Sequence, residues 1–221
     1  TCATMTSPRR LVFWRHGRTE WNAQMRFQGQ TDIPLDEVGL AQAERAAAML
    51  ASLQPSVVIS SDLMRAHQTA SALARHVGVE ISTDERLRET FAGDWEGLTR
   101  DVLESQYGPE LAAWSAFSDV RPGGHGETRI EVADRMEAAV NDALTRLEAG
   151  QTMVVATHGG AARTVIGRLL ALPHETWGAL GVLTNCSWSV LVENNSGQGS
   201  QWRLQEYNAG TLPEPALGDD R

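Results

Sequence analysis

The stretch RLVFWRHGRTEWN, residues 10–22, opens as a mostly apolar, strand-like run and stops abruptly at an arginine, a histidine and a glycine. Short apolar runs of this kind suit a parallel sheet covered on both faces, and such sheets place their ligand-binding residues just past the strand carboxyl ends. TMVVATHGGAARTVI, residues 152–166, repeats the grammar: an apolar strand, then His158, then two glycines opening a helical segment. PSVVISS (55–61) is a third strand, ending on Ser60 and Ser61. The segment behind it, DLMRAHQTASALARHVG (62–78), reads as a helix capped by Ser61 or Asp62 and closed by Gly78.

Working outward, DEVGLAQAERAAAMLASL (36–53) has Leu40, Ala43, Ala47 and Leu50 at helical spacing, and VEIST (79–83) is a short strand. A longer helix is expected from Glu127 to Glu148, feeding the strand at 152–157. CSWSVLVE (186–193) and QWRLQEY (201–207) flank the turn-rich NNSGQGS and read as an antiparallel hairpin. The expectation is an α/β fold: three layers, α/β/α, with a mostly parallel central sheet and an antiparallel edge strand, in one domain over residues 8–208. Residues 99–128 stand outside the repeating units and read as a lid. Residues 1–7 and 209–221 are expected to be flexible termini, and TCAT, which precedes Met5, is left out of the fold reading.

Bulk properties narrow the function. The 221 residues carry a formal charge of −9, which disfavours a nucleic-acid partner, so any anion must be bound by a local cluster of cations. Two distant cysteines, Cys2 and Cys186, offer no disulfide framework or metal-ligand spacing, and Cys186 reads as a small buried hydrophobe. No apolar run approaches the ~20 residues of a membrane-spanning helix, so no membrane partner is expected and the location is read as cytoplasmic.

Three strand ends then supply the chemistry. Arg15 and His16 follow the first; Ser60 and Ser61 follow the next, with Arg65 one helical turn on; His158, Gly159 and Gly160 follow the last. Two guanidiniums, two imidazoles and the amides of a helix N-terminus fit an anion, and the guanidinium fork favours phosphate. Glu89, in RLRETFAGDWEG, is the best proton donor, lying in a loop with Gly93 and Gly97 close behind; Asp62 reads as a cap and Glu96 as a poorer choice. His67, His76 and His174 are isolated and read as ordinary surface or core residues.

Six ordered segments, RHGRTEWN, FQGQTDIPLDEVGLAQAE, SSDLMRAHQTA, LRETFAGDWEG, GETRIEVADR and ATHGGAARTVI, resemble the histidine phosphatase superfamily in its phosphoglycerate mutase-like branch, over about residues 10–172. NCSWSVL and WRLQEYNAG further resemble actinobacterial phosphatase members. The resemblance implies that His16 is a nucleophile forming a phosphohistidine, that Arg15, Arg65 and His158 hold the phosphoryl oxygens with help from Asn22, and that Glu89 is the proton donor. It also implies phosphate or substrate contacts from Thr19, Gln28, Gly29 and Gly159, a backbone contact orienting the His16 ring, no metal or other cofactor, a small phosphomonoester as substrate and a homodimer, with the C-terminal hairpin as its contact. Two positions depart from the pattern: Arg18, at the pocket rim or in solvent, and His125, which would line the substrate mouth.

The same branch holds mutases and phosphatases. Mutases resembling this chain carry a tryptophan where Gln30 stands and a basic cluster in the lid. Residues 99–128 offer only Arg100 and Arg121 among five acidic residues, so a phosphatase is expected, on a sugar phosphate or a phosphoglycerate-type ester. Lid aromatics Tyr107, Trp114 and Phe117, with Trp95 nearby, read first as packing and second as substrate contacts. A phosphoglycerate mutase, a broad acid phosphatase, a phospho-ligand sensor, and a metal site built from His16, His158 and Glu89 are the alternatives left open.

Overall fold

A computed structural model describes residues 7–196 and 199–211. The apolar stretches form a six-stranded sheet: β1 (Arg10–Arg15), β2 (Val57–Ser60), β3 (Ile81–Thr83), β4 (Thr152–Thr157), β5 (Trp188–Glu193) and β6 (Trp202–Ala209), in spatial order β3-β2-β4-β1-β5-β6. The first four are parallel, and β5 and β6 form the antiparallel hairpin at one edge, with β5 antiparallel to β1. Alternation along each strand separates two cores. Leu11, Phe13, Ile59, Met153 and Val155 face α5 (Arg129–Leu144) and α6 (Gly159–Leu169), while Val12, Trp14, Val58, Val154 and Ala156 face α2 (Glu37–Leu50) and α3 (Met64–Val77). The three-layer reading therefore holds.

Local chemistry sets the helix ends. Asp36 Oδ1 accepts the Gly39 amide at 2.7 Å, and Thr128 with Glu131 forms a reciprocal capping box that starts α5. Gly78 ends α3 with a φ of 68°, a conformation that costs glycine nothing. Three expectations need correction. The α3 cap position is neither Ser61 nor Asp62 but Leu63, and no side chain caps the helix: the Asp62 carboxylate is taken by Arg88, Ser61 Oγ accepts the Leu63 amide ahead of the helix, and the first helical amide, Met64, goes to Asp32. The buried stripe of α2 runs through Gly39, Gln42, Ala43, Ala46, Ala47 and Leu50, leaving Leu40 exposed. The long helix is shorter than expected, ending at Leu144.

The region expected to be a lid is itself helical. A short α1 (Glu20–Ala23) follows β1, and α4 (Arg100–Ser115) occupies most of residues 99–128, with non-helical backbone at Tyr107 where Pro109 interrupts the ladder. Phe27, Ala92, Trp95, Leu103, Leu111 and Trp114 close a third, smaller core beneath it. Trp95 is fully buried, with its ring centroid 6.1 Å from Tyr107 and 6.2 Å from Trp114, so packing is the role these aromatics show. Phe117 lies beyond the end of α4, with a φ of 61°. The expected flexible termini fall largely outside the described residues, and among those described no helix is long and apolar enough to cross a membrane.

Candidate active site

Strand register assembles the pocket. Neighbouring β1 and β4 pair Arg15 with Thr157, and the His16 amide donates to the Thr157 carbonyl at 3.0 Å. On the other side of β4 the Ser61 amide donates to the Ala156 carbonyl at 2.9 Å. His16, His158 and Ser61 are thus the first residues past three adjacent strands. The two imidazoles stand with ring centroids 5.2 Å apart, and the site buries Arg15, His16, Ser61, Arg65, Glu89 and His158.

The loop carrying His16 can pass close to α2 because residue 17 has no side chain. A Cβ on Gly17 would stand 2.4 Å from the Gly39 carbonyl oxygen at the head of α2, and the Gly17 amide donates to Thr69 Oγ1 at 3.1 Å. The His16 Nδ1 lies 2.7 Å from the Gly17 carbonyl, an acceptor, so Nδ1 carries the ring proton and Nε2 keeps its lone pair. This is the backbone contact the resemblance implies. Burial, followed by the charges of Arg65 and Arg15, pushes the His16 pKa well below its ordinary value, so the ring is neutral at neutral pH. Arg15 Nη1 donates to the Leu183 carbonyl, tying the strand end to the loop before β5.

His158 has the opposite situation. Its Nδ1 accepts from Arg65 Nε at 3.2 Å, which leaves the proton on Nε2, 2.9 Å from Ser61 Oγ. Burial again lowers its pKa well below the ordinary value, with Arg65, His16, Arg135 and Arg15 adding to the effect. Arg65 donates its terminal nitrogens to the Thr31 and Gly29 carbonyls at 2.8 Å each, so it braces the loop at 29–31 as well as the ring. Gly29, with a φ of 51°, accepts no side chain: a Cβ there would lie 2.1 Å from Glu96 Oε1. Glu96 is thereby explained as a loop brace, accepting from Gln30 N at 2.9 Å and from Thr31 Oγ1 at 2.6 Å.

Glu89 sits at the head of α6. Its Oε1 accepts the amides of Thr90 and Ala161 at 2.8 Å each, and its Oε2 the amide of Gly160 at 3.0 Å. The helix N-terminus expected to receive phosphate has thus given two of its amides to a protein carboxylate; Gly159, at the first position, is buried beside them. Thr19 caps α1 in a box with Asn22, and its hydroxyl lies 2.9 Å from Gln28 Oε1. Asn22 Oδ1 accepts from the Thr19 amide at 3.1 Å and from Asn185 Nδ2 at 3.2 Å, while Asn22 Nδ2 is buried without a partner among the described residues. His125 lies apart from this network, exposed, with its ring against Phe91 at 5.5 Å. Arg18 is held by Asp36 at 2.8 Å. Among the described residues no three His, Cys, Asp or Glu side chains are grouped to hold a metal.

Sequence reasoning gave no role to Asn185, Thr69, Arg135 or the pair Arg129 and Arg163, although each lies inside a segment quoted above. The last four sit in helices, where nothing local separates them from packing residues.

The family model for the histidine phosphatase superfamily (branch 1) matches residues 11–210. The chain belongs to the histidine phosphatase superfamily. It is 39% identical to the glucosyl-3-phosphoglycerate phosphatase of Mycolicibacterium vanbaalenii over 91% of this chain and 95% of that one. It is 38% identical to a probable phosphoglycerate mutase of Proteus mirabilis over 82% of this chain and 84% of that one. The structure of a mycobacterial glucosyl-3-phosphoglycerate phosphatase complexed with VO3 superposes with a TM-score of 0.86 at 38% identity, covering 91% of this chain and all of that one. As a histidine phosphatase, the chain carries a phosphoglycerate mutase-like sheet, with His16 and His158 at neighbouring strand ends.

Proposed function

We propose that this phosphatase hydrolyses a phosphomonoester without a metal, through a phosphohistidine on His16. The observation that carries the reading is the His16 ring: neutral, with its proton committed to the Gly17 carbonyl, it presents Nε2 as a nucleophile beside the cations Arg15 and Arg65. In the first half-reaction Nε2 bonds to phosphorus, the ester P–O bond breaks, and protonated Glu89 gives its proton to the departing alkoxide. In the second, water attacks phosphorus, the P–N bond breaks, and Glu89 takes the water's proton. Arg15, Arg65, Asn22, His158 and the Gly159 amide stabilise the charge spread over the transferring oxygens, with Thr19, Gln28 and Gly29 shaping their loop and His125 at the outer rim.

The substrate we assign is a sugar-linked phosphoglycerate, the chemistry in the names of the glucosyl-3-phosphoglycerate phosphatase relatives. At the root of the lid Arg129 lies 3.6 Å over the Trp114 ring and 4.0 Å over Phe117, and Arg163 lies 4.5 Å over Phe117. These cations, one at the start of α5 and one in α6, supply positive charge of the kind a glycerate carboxylate requires. The enzyme is read as cytoplasmic and as a homodimer joined at the β5–β6 hairpin, which light scattering on the intact chain would test.

Rapid alkaline quenching of turnover is expected to trap acid-labile phosphate on His16, with turnover unchanged by EDTA. Glucosyl-3-phosphoglycerate should give a higher kcat/KM than 3-phosphoglycerate or simple sugar phosphates. Chelator-sensitive turnover, phosphate on another residue, or interconversion of 3- and 2-phosphoglycerate as fast as phosphate release would overturn the reading.

A further inference from the structure

Glu89 projects from a segment, residues 88–92, that belongs to no helix or strand, yet a proton-transfer group must be held to a fraction of an ångström. Two residues of α5 and its approach grip this backbone from behind. Arg135 Nη1 donates to the carbonyls of Arg86 and Arg88 at 2.7 Å each, and its Nη2 to the Glu89 carbonyl at 2.8 Å. The same guanidinium is forked by Glu127, Nε to Oε1 at 2.8 Å and Nη2 to Oε2 at 2.9 Å. Glu127 also reaches the far side of the segment: its Oε2 accepts the Phe91 amide at 2.8 Å, and its own amide donates to the Phe91 carbonyl at 2.8 Å. Gln30 completes the set, donating from Nε2 to the Glu89 carbonyl at 3.1 Å and to Glu127 Oε2 at 3.3 Å.

The backbone groups gripped here, from Arg86 to Phe91, all lie within three residues of Glu89, and one planar cation meets three of the carbonyls at once. A lysine would keep the charge but could not present donors in that fork. We propose that Arg135, locked in place by Glu127, is a positioning residue for proton transfer: it fixes the backbone that keeps the Glu89 carboxylate at the head of α6. The proposal rests on the acid–base role assigned to Glu89 above. It also explains why GETRIEVADR, a segment whose side chains make none of the chemistry, accompanies the site residues: it carries both Glu127, just ahead of the α5 cap, and Arg135, two turns into the helix.

The test compares kcat on two esters, p-nitrophenyl phosphate, whose leaving group departs without a proton, and glycerol 3-phosphate, whose alkoxide needs one. Arg135→Lys should lower kcat on the alkyl ester by about tenfold, a fraction of what a general acid supplies, and much less on the aryl ester. In a Glu89→Gln background the same substitution should cost nothing further on the alkyl ester. Glu127→Gln, which keeps the shape and loses the charge, should reproduce the pattern in weaker form and serves if Arg135→Lys fails to fold by circular dichroism. Equal losses on both esters, or a full additional loss in the Glu89→Gln background, would show a general packing role and overturn the proposal. Glu89→Gln alone separates the two claims: without a split between esters, Glu89 is not the acid and both fall; with the split present and none from Arg135→Lys or Glu127→Gln, only the positioning role falls.

Discussion

The ends of β1 and β4 carry the same local text, an apolar strand followed by histidine and glycine, and the fold treats them in opposite ways. At the end of β1 one ring nitrogen of His16 is tied to the adjacent Gly17 carbonyl. At the end of β4 both nitrogens of His158 are engaged, one by Arg65 and the other by Ser61. One imidazole is presented and the other is pinned. Identical strand-loop grammar therefore yields two differently held rings, the proposed nucleophile and the proposed clamp, and the difference comes from Arg65 and Ser61, which stand far from His158 in the chain. Both rings share one electrostatic setting, buried among Arg15 and Arg65, which keeps both neutral and lets the tautomer decide the role.

Breaking the presented side should cost most. His16→Ala is expected to lower kcat by roughly a thousandfold or more, with an unchanged circular dichroism spectrum, because nothing else in the pocket replaces a lost nucleophile. Residual turnover above a tenth of wild type would contradict the asymmetry. On the pinned side, Arg65→Lys should cost about a hundredfold, since a lysine cannot hold the His158 ring, the Gly29 and Thr31 carbonyls and a phosphoryl oxygen together. Ser61→Ala removes the acceptor of the His158 proton and a longer contact to the Leu63 amide. It should reduce kcat by about tenfold or less, in keeping with the modest net value of one hydrogen bond.

Stability against pH sharpens the contrast further. Both histidines have pKa values depressed in the folded state, so below about pH 6.5, the ordinary imidazole range, the unfolded chain binds protons that the native chain refuses. The stability conferred by these neutral rings is present above that range and is lost as the pH falls toward the lower folded values. Thermal unfolding between pH 8 and pH 5 should show a falling midpoint, and His158→Gln should flatten that slope. A midpoint that rises on acidification, or a slope untouched by the substitution, would remove the buried neutral pair from the account.

Much was readable along the chain. The apolar runs at 10–14, 57–60 and 152–157 announced parallel strands, because a strand covered on both faces has no polar side to show, and the residues just past them announced the pocket. Glu89 was found by its loop, and the glycine at 17 by its neighbour. Asp62 and Leu40 were misjudged for one shared reason. A cap and a buried stripe each depend on what packs alongside: Arg88 claims Asp62, and the packing of α2 turns Leu40 outward. The helix within residues 99–128, broken at its proline, was not legible along the chain for the same reason, since Trp95 gives α4 a core of its own.

Residue type and order alone thus established which groups could carry phosphate chemistry and at which strand ends they lie. Which histidine keeps a lone pair, where Glu89 rests and what holds the loop beneath it were set by hydrogen bonds from Arg65, Ser61, Gly160, Ala161 and Arg135. A ring tautomer or a carboxylate position is determined by whichever donor or acceptor arrives within 3 Å or so, and such partners are brought together only when the strands register and the helices pack.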